Sequence, residues 1–214
     1  ESYGKGLSEE RYGRYLVPNY RDDVFLMTKT QAKDAKTARK HLEGSLKRMK
    51  TDTIDLWQIH SLSNPEDADD RLAKGVLDVA IKAKEEGKVK HIGFTGHASP
   101  YAHVRMTEHK EVLDACSTCQ FPINPVDAAA NHSFIGTTLP KMLENGIGIL
   151  AMKTLADGRF FAKKEMNGKV KWTSDNPVVP NALSIDDCIN FALSLPISVL
   201  ITGETGTGKE LIAK

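Results

Sequence analysis

The sequence lacks the cysteine content, the long apolar stretches and the charge excess that mark several classes of protein. Its 214 residues include only 3 cysteines, too few for a disulfide framework, so a reducing compartment such as the cytoplasm is expected. The longest uncharged stretch near the C-terminus, residues 188–203, is interrupted by Pro196 and is too short to span a membrane. No basic-then-apolar leader follows Glu1, and the missing initial Met indicates a trimmed or truncated chain.

The charges are balanced, and this balance argues against polyanionic partners. The chain carries 29 Lys and Arg against 28 Asp and Glu, a formal net charge of +1, which gives no bulk attraction to nucleic acid or to an anionic membrane. With 40% hydrophobic residues, the composition is that of a globular protein with a substantial core. The histidines show no metal-ligand spacing, and Cys116 and Cys119 form a C-x-x-C without the second pair that a zinc site needs. We therefore predict no metal site, while a redox dithiol at this pair stays an alternative.

Short aliphatic runs alternate with longer helical patterns along the chain. The pattern predicts strands over residues 24–30, 53–60, 89–95, 119–125, 147–155 and 198–203. It predicts helices over residues 36–50, 65–87, 101–115, 133–145 and 184–195, with a long loop over 157–181. Such alternation indicates an α/β fold with parallel strands joined by right-handed crossovers. A doubly wound open sheet and an eight-fold barrel both satisfy this pattern.

Titratable residues stand at the ends of predicted apolar strands. Lys29 ends FLMTK, His60 ends LWQIH, His97 follows IGFT, and Lys153 follows ILAM. In parallel α/β folds the carboxyl ends of the strands converge on one face, and active sites lie there. Lys29 and His60 are therefore the first candidates for function. The alternative is that each side chain only extends to solvent at a strand end.

A series of segments, in order along the chain, carries a family resemblance. They are ESYGKGLSEERYGRYL, FLMTK, SLKRMKTDTIDLWQIH, GKVKHIGFTGH, QFPINP, GIGILAMKTLADG and PISVLITG. Together, over residues 1–203, they resemble the aldo-keto reductase family. The resemblance implies an eight-stranded (β/α) barrel that reduces small-molecule carbonyl compounds with a nicotinamide cofactor, usually NADPH, with NADH as an alternative. The sequence indicates neither which carbonyl compound is the substrate nor the oligomeric state.

The resemblance assigns three catalytic residues. The catalytic tyrosine of the family falls on Tyr3, its lysine on Lys29 and its histidine on His60. A carbonyl that accepts hydride develops charge on oxygen, and a phenol is able to supply the compensating proton. An ammonium near that phenol favours its ionised form and lowers its pKa, which is the role implied for Lys29. His60 would hydrogen-bond the carbonyl oxygen and orient it.

The resemblance also assigns residues to the cofactor and shows departures from the family pattern. Gln120 and Thr95 match positions that hold the nicotinamide carboxamide. Lys153 stands where many members carry a Tyr that stacks on the nicotinamide, and Gly96 where many carry Asn. The family's aspartate partner of the lysine would precede Glu1, together with two strands. We therefore expect an incomplete barrel of about six of the eight strands, with two unpaired sheet edges.

The C-terminal residues carry a different signal. In GETGTGKELIAK, Gly203, Gly208 and Lys209 satisfy the G-x-x-x-x-G-K pattern of a phosphate-binding loop, although Glu210 replaces the usual Ser or Thr. The segment resembles the Walker A loop of AAA+ ATPase domains in bacterial enhancer-binding activators, and ELIAK is predicted to enter a helix. We interpret residues 1–203 as a partial barrel and residues 204–214 as the start of an unrelated or misjoined segment. Three alternatives remain: Gly203 and Lys209 bind NADPH phosphate, the chain is a nucleotide-binding fragment, or it is an inactive composite.

Overall fold

The computed structural model of the chain describes residues 3–156, 162–164, 170–172, 183–200 and 212–213, and the side chains of residues 4–156 and 183–200. The strands are β1 (Phe25–Thr30), β2 (Ile54–Ile59), β3 (Val89–Thr95), β4 (Cys116–Pro122), β5 (Gly148–Met152), β6 (Ala162–Lys164), β7 (Val170–Trp172), β8 (Val199–Leu200) and β9 (Ile212–Ala213). The helices are α1 (Leu7–Arg11), α2 (Val17–Tyr20), α3 (Ala35–Met49), α4 (Pro65–Ala73), α5 (Val76–Glu85), α6 (Pro100–Thr107), α7 (Lys110–Ala115), α8 (Pro125–Ala128), α9 (Phe134–Glu144) and α10 (Ile185–Leu193). A π-helical turn, Tyr12–Leu16, joins α1 to α2, and short 3-10 turns cover Tyr3–Gly6 and Arg21–Asp23.

The strand order decides between the two α/β folds that the sequence left open. One sheet has the order β8-β5-β4-β3-β2-β1-β9, and every neighbouring pair from β1 to β8 is parallel. The six parallel strands therefore follow one another across the sheet in chain order. A doubly wound sheet reverses its order at a switch point, whereas a barrel winds in one direction only. The fold is an incomplete (β/α)8 barrel, as the resemblance implied.

Most predicted elements are confirmed with shifts of one or two residues, but two predicted helices are divided. The helix expected from Pro65 to Gly87 consists of α4 and α5, because Gly75 between them has a left-handed backbone with a φ of 74°. The helix expected over 101–115 consists of α6 and α7, because His109 is extended. A helix cannot continue through either conformation. The strand expected at 119–125 begins earlier, at Cys116, and ends at Pro122.

The C-terminal residues differ from the prediction more strongly. Ile212 and Ala213 form β9 instead of entering a helix, and they pair antiparallel with Phe25 and Leu26 of β1. The expectation of two unpaired edges is therefore wrong at β1, since its exposed backbone groups gain partners from β9. Within the predicted loop 157–181, β6 and β7 form an antiparallel pair, and the other residues of 157–181 lie outside the described part of the chain.

Alternation along the strands divides the core into two faces. A large apolar cluster fills the space between the sheet and its helices and includes Trp57, Phe94 and Ile149 from the strands and Leu42, Met106 and Met142 from the helices. A second, small cluster of Met27, Leu56 and Leu150, with Val199 against it, lies on the opposite face of the sheet. We call that face the inner face. Because successive side chains point to opposite faces, residues two positions further along each strand also point inward.

The segment that precedes β1 is held by a buried carboxylate. Glu9 of α1 is 1% exposed and accepts hydrogen bonds from Thr28 Oγ1 at 2.6 Å, Ser45 Oγ at 2.9 Å and Arg48 Nε at 2.7 Å. Burial by itself would raise the pKa of the Glu9 carboxyl, but the hydrogen bonds from Thr28 and Arg48 lower it below its usual value. Glu9 thus ties α1 to both β1 and α3.

We expect Arg48→Met to destabilise the protein by about 3 kcal/mol, because it removes a cation that lies against the buried Glu9 carboxylate. Urea unfolding with and without the substitution measures the difference. Lys110→Met is the matched control, because it breaks the exposed Lys110–Asp114 pair and should change the unfolding free energy by less than about 0.5 kcal/mol. Equal effects of the two substitutions would contradict this account of Glu9.

A buried histidine lies in the helix-facing core. His103 of α6 is 0% exposed, and its ring is 5.8, 6.0 and 5.3 Å from those of Phe94, Phe121 and Phe134. Neither ring nitrogen has a hydrogen-bond partner within the described residues. Burial lowers the pKa of His103 from 6.5 to about 3. The ring is therefore neutral in the folded protein throughout the neutral and mildly acidic range.

The lowered pKa of His103 makes the fold sensitive to acid. Below pH 6.5 the unfolded chain binds a proton at this residue that the folded chain does not, so stability falls as the pH drops toward 3. We expect His103→Leu to reduce this loss by about 1.4 kcal/mol per pH unit below 6.5, measured by urea unfolding at several pH values. Phe134→Leu, in the same cluster, should lower stability equally at each pH. An unchanged pH dependence in His103→Leu would show that another group causes it.

Candidate active site

Lys29 and His60 lie at the carboxyl ends of neighbouring parallel strands. Lys29 follows Met27 by two positions and His60 follows Leu56 by four, so both continue the inner-face alternation. They are 2% and 9% exposed, which excludes the alternative that they simply extend to solvent. The backbone N–H of His60 donates to the carbonyl of Thr30 at 2.8 Å. This bond keeps His60 in line with the end of β1.

His60 is a neutral imidazole in this environment. Burial, reinforced by the positive charge of Lys29, lowers its pKa from 6.5 to about 3. The influence of Lys29 shows that the two groups are close enough to interact electrostatically. Near neutral pH His60 can therefore donate or accept a hydrogen bond, but it carries no extra proton to transfer.

The loop after His60 is clamped by a buried arginine. Arg71 of α4 is 2% exposed and donates to the carbonyl of His60 at 2.6 Å and to that of Ser61 at 3.0 Å. Ser61 itself has a left-handed backbone with a φ of 63°. The clamp holds the strained turn, and with it the His60 ring.

Asp67 holds the arginine in place. It accepts hydrogen bonds from Arg71 Nε at 2.9 Å and from Lys33 Nζ at 2.5 Å. Burial by itself would raise the pKa of the Asp67 carboxyl, but these hydrogen bonds hold it well below its usual range. Asp67 lies in the first turn of α4, where a carboxylate also interacts favourably with the helix dipole. The spacing of four residues between Asp67 and Arg71 was a sequence signal for this ion pair.

Thr95 and Gln120 occupy the corresponding ends of β3 and β4. They are paired in register and are 1% and 0% exposed. Both amide atoms of Gln120 are buried without a hydrogen-bond partner among the described residues. An amide that lacks both a donor and an acceptor partner is complementary to another carboxamide. Gln120 therefore fits the carboxamide of a nicotinamide.

Lys153 follows β5 in a strained turn. Its φ is 55°, and its carbonyl accepts hydrogen bonds from Asn124 Nδ2 at 3.1 Å and from the N–H of Ala156 at 2.8 Å. The Asn124 side chain also caps α8 by accepting from the N–H of Asp127 at 2.9 Å. Asn124 thus joins the ends of β4 and β5, and Lys153 stands half-buried at the same edge of the sheet as the other candidates.

Not every predicted site residue is placed by the structure. The Tyr3–Gly6 turn immediately precedes α1, but the Tyr3 side chain lies outside the described residues, as do Gly203 and Lys209. The described part of the chain brings together Lys29, His60, Thr95, Gln120 and Lys153.

Comparison with known proteins fits this arrangement. The sequence profile of the aldo/keto reductase family matches residues 1–199. The chain belongs to the aldo-keto reductase family.

Curated relatives cover this chain well but extend beyond it. L-galactose dehydrogenase of Arabidopsis thaliana is 26% identical over 192 residues, which are 84% of this chain and 56% of that protein. The oxidoreductase YrpG of Bacillus subtilis is 29% identical over 121 residues, 56% of this chain and 34% of that protein. The chain thus spans about half, or less, of the length of the relatives it matches.

Solved aldo-keto reductase structures share the fold. The enzyme from Klebsiella pneumoniae in complex with NADPH has a TM-score of 0.59 at 20% identity, over 74% of this chain and 52% of that one. The holo form of an aldo-keto reductase from Bacillus halodurans has a TM-score of 0.58 at 18% identity, over 92% and 67% of the two chains. At these identities the likeness concerns the fold alone.

Gln58 is an inner-face residue that the sequence reasoning missed. It lies between Leu56 and His60 in the alternation of β2, is 0% exposed, and pairs in register with Lys29. The sequence did contain a signal for Gln58, because residues at positions i and i+2 of a strand share a face. A polar residue two positions before a candidate histidine therefore points into the same site.

Packing explains why this aldo-keto reductase has glycine at position 96. A Cβ atom on Gly96 would lie 2.6 Å from the carbonyl oxygen of Leu62 and 2.9 Å from His103 Nε2. Leu62 is fixed there because its N–H donates to the carbonyl of Thr95 at 3.1 Å. The loops after β2 and β3 therefore touch through backbone atoms, and a side chain would separate them.

We expect Gly96→Asn to lower the free energy of unfolding by about 2 kcal/mol, because the Leu62 backbone must move to admit the side chain. Urea unfolding measures the loss. Ser99→Ala is the control in the same loop, since the Ser99 side chain makes no capping hydrogen bond to α6. Equal stability of Gly96→Asn and the parent protein would mean that the two loops separate without cost.

Two further observations bear on the sequence predictions. Burial raises the pKa of Cys116 to about 12 and raises that of Cys119 well above its ordinary value. Because a thiolate is the reactive form, the redox dithiol is disfavoured. Among the helices described, none combines the length and the apolar character that crossing a membrane requires.

Proposed function

We propose that the chain is the catalytic core of an oxidoreductase that reduces aldehydes or ketones to alcohols with a nicotinamide cofactor. The observation that carries the proposal is the burial of Lys29 beside a neutral His60 at the carboxyl ends of β1 and β2. Family membership supports it, because the motifs that resemble the aldo-keto reductases end at these two residues. Polar groups in a site shielded from water act more strongly on a carbonyl than the same groups in solvent.

The ionisation state of each candidate residue indicates its role in the reaction. His60, with a pKa of about 3, is unable to supply a proton near neutral pH, so its role is to donate a hydrogen bond that orients the carbonyl oxygen. The proton must come from another group, which we propose is the Tyr3 phenol. Lys29 would favour the ionised phenol and so lower its pKa toward the working pH.

Thr95, Gln120 and Lys153 would hold the nicotinamide. When bound, the nicotinamide supplies the hydride that reduces the carbonyl carbon. The Gln120 amide, which has no hydrogen-bond partner among the described residues, would exchange hydrogen bonds with the carboxamide and thereby fix which face of the ring meets the substrate. NADPH is the proposed form, with NADH as the alternative, and the NADPH in the Klebsiella pneumoniae relative supports this choice. The phosphate-binding role of Gly203 and Lys209 stays a prediction.

Small carbonyl compounds are the proposed substrates. One relative is named a dehydrogenase of L-galactose, so sugars are the first compounds to assay. A cytoplasmic location is proposed from the three cysteines, which are all free and buried, since a reducing compartment maintains that state.

The test is turnover of a generic aldehyde, followed by NADPH absorbance, in Lys29→Met and His60→Gln. We expect kcat to fall by about 100-fold or more in each, because each loses a group that acts on the developing oxyanion or its proton donor. Lys110→Met changes a distant exposed lysine and should leave kcat unchanged. Calorimetry with NADPH, NADH and ATP accompanies the kinetics.

Three results would contradict the proposal. They are unchanged turnover in Lys29→Met, unchanged turnover in His60→Gln, and binding of ATP without binding of either nicotinamide cofactor. The last result would favour the nucleotide-binding fragment instead. Binding of NADPH without turnover by the parent chain would favour the inactive composite.

A further inference from the structure

Gln58 carries a polar group into the inner face of the barrel without a partner there. Its side chain is 0% exposed, and neither the carbonyl oxygen nor the amide nitrogen has a hydrogen-bond partner within the described residues. A buried amide that makes no hydrogen bond costs free energy, and an apolar side chain of similar size would avoid that cost. An amide at this position therefore requires an explanation beyond packing.

The neighbours of Gln58 indicate what its amide meets. On one side lies Lys29, paired in register on β1 and pointing to the same face. Adjacent strands are about 4.8 Å apart, so the two long side chains run alongside each other. An ammonium has three donors and no acceptor, whereas the amide offers an acceptor. Lys29 is therefore the complementary neighbour for the Gln58 oxygen.

On its other side, Gln58 is next to a residue without a side chain. Its register partner on β3 is Gly93, and a Cβ there would lie 2.3 Å from Thr118 Oγ1. Thr118 Oγ1 is also buried without a hydrogen-bond partner among the described residues. The absent side chain of Gly93 thus makes room for the Thr118 hydroxyl on the next strand. Gln58 therefore has a polar side chain to either side of it, Lys29 on β1 and, beyond Gly93, Thr118 on β4.

We propose that Gln58 is a positioning residue whose side-chain oxygen accepts a hydrogen bond from a water molecule that in turn accepts one from the Lys29 ammonium. The contact fixes the direction in which the ammonium points at the end of β1. Its catalytic consequence rests on the proposed function, since it acts through Lys29. The contact itself does not rest on that function.

The contact is tested by NMR on the full chain, without cofactor or substrate. The signal is the 1H–15N correlation of the Lys29 ammonium, assigned by its loss in Lys29→Met. We expect Gln58→Met, which keeps the length of the side chain but removes both polar atoms, to speed ammonium proton exchange about tenfold. Gln58→Glu retains an acceptor and should restore the slow exchange.

A reciprocal measurement and a matched control complete the test. With Gln58 intact, Lys29→Met should shift the Gln58 side-chain amide resonances, which keeps the proposal testable if Gln58→Met does not fold. Trp57→Phe removes a buried N–H of the same strand that has no hydrogen-bond partner in the described part of the chain. Because Trp57 lies on the helix-facing side, this substitution should leave both signals unchanged. Exchange within twofold of the parent in Gln58→Met, or unmoved Gln58 resonances in Lys29→Met, would overturn the proposal.

Kinetics separate the contact from the proposed function. A positioning role predicts that Gln58→Met lowers kcat about tenfold while the NADPH Kd stays within twofold, and that Gln58→Glu retains more activity than Gln58→Met. If Gln58 had only a structural role, Gln58→Met would lower the free energy of unfolding without selectively lowering kcat relative to NADPH binding. Intact NMR contacts in a chain without turnover would support the contact and contradict the proposed function.

Discussion

The burial of a cationic side chain on the inner face is the constraint on which the rest of this structure depends. An ammonium such as that of Lys29 is costly to remove from water, and the cost is tolerated only where polar groups surround it. The same burial makes its charge effective, because nearby charges interact more strongly where water is excluded. The pKa of His60 reflects both effects, since burial and the charge of Lys29 act in the same direction. The buried position of Lys29 thus helps to keep His60 neutral.

Support for this placement comes from the helix-facing side of the sheet. Arg71 grips the turn that carries His60, and Asn124 ties the end of β4 to the turn at Lys153. Glu9 connects α1, which follows the Tyr3–Gly6 turn, to β1 and α3. These contacts are hydrogen bonds between side chains and backbone or between buried side chains, which define geometry more narrowly than apolar packing does. The candidate residues lie on the inner face, and contacts on the helix-facing side fix their geometry.

The strands and the candidate residues at their ends were predictable from the sequence, because periodicity two, apolar runs and terminal titratable residues are local signals. Lys29 and His60 became candidates in this way. The role of Arg71 and the packing reason for Gly96 were not predictable, because both depend on tertiary contacts, such as the one between Gly96 and Leu62. The antiparallel pairing of β9 was missed for the same reason, since ELIAK reads locally as a helix and only the free edge of β1 favours a strand.

The inner face changes from apolar to polar along the strands, and this change explains why the candidate site lies at one end only. Met27 and Leu56 close the lower level with Leu150, while Lys29 and Gln58 follow two residues later on the same strands. The apolar level excludes water from below, so the polar groups above it interact mainly with one another and with whatever enters from the open end. A shift of register by one residue would turn these side chains toward the helices. Alternation along the strands therefore specifies both the fold and the position of the candidate site.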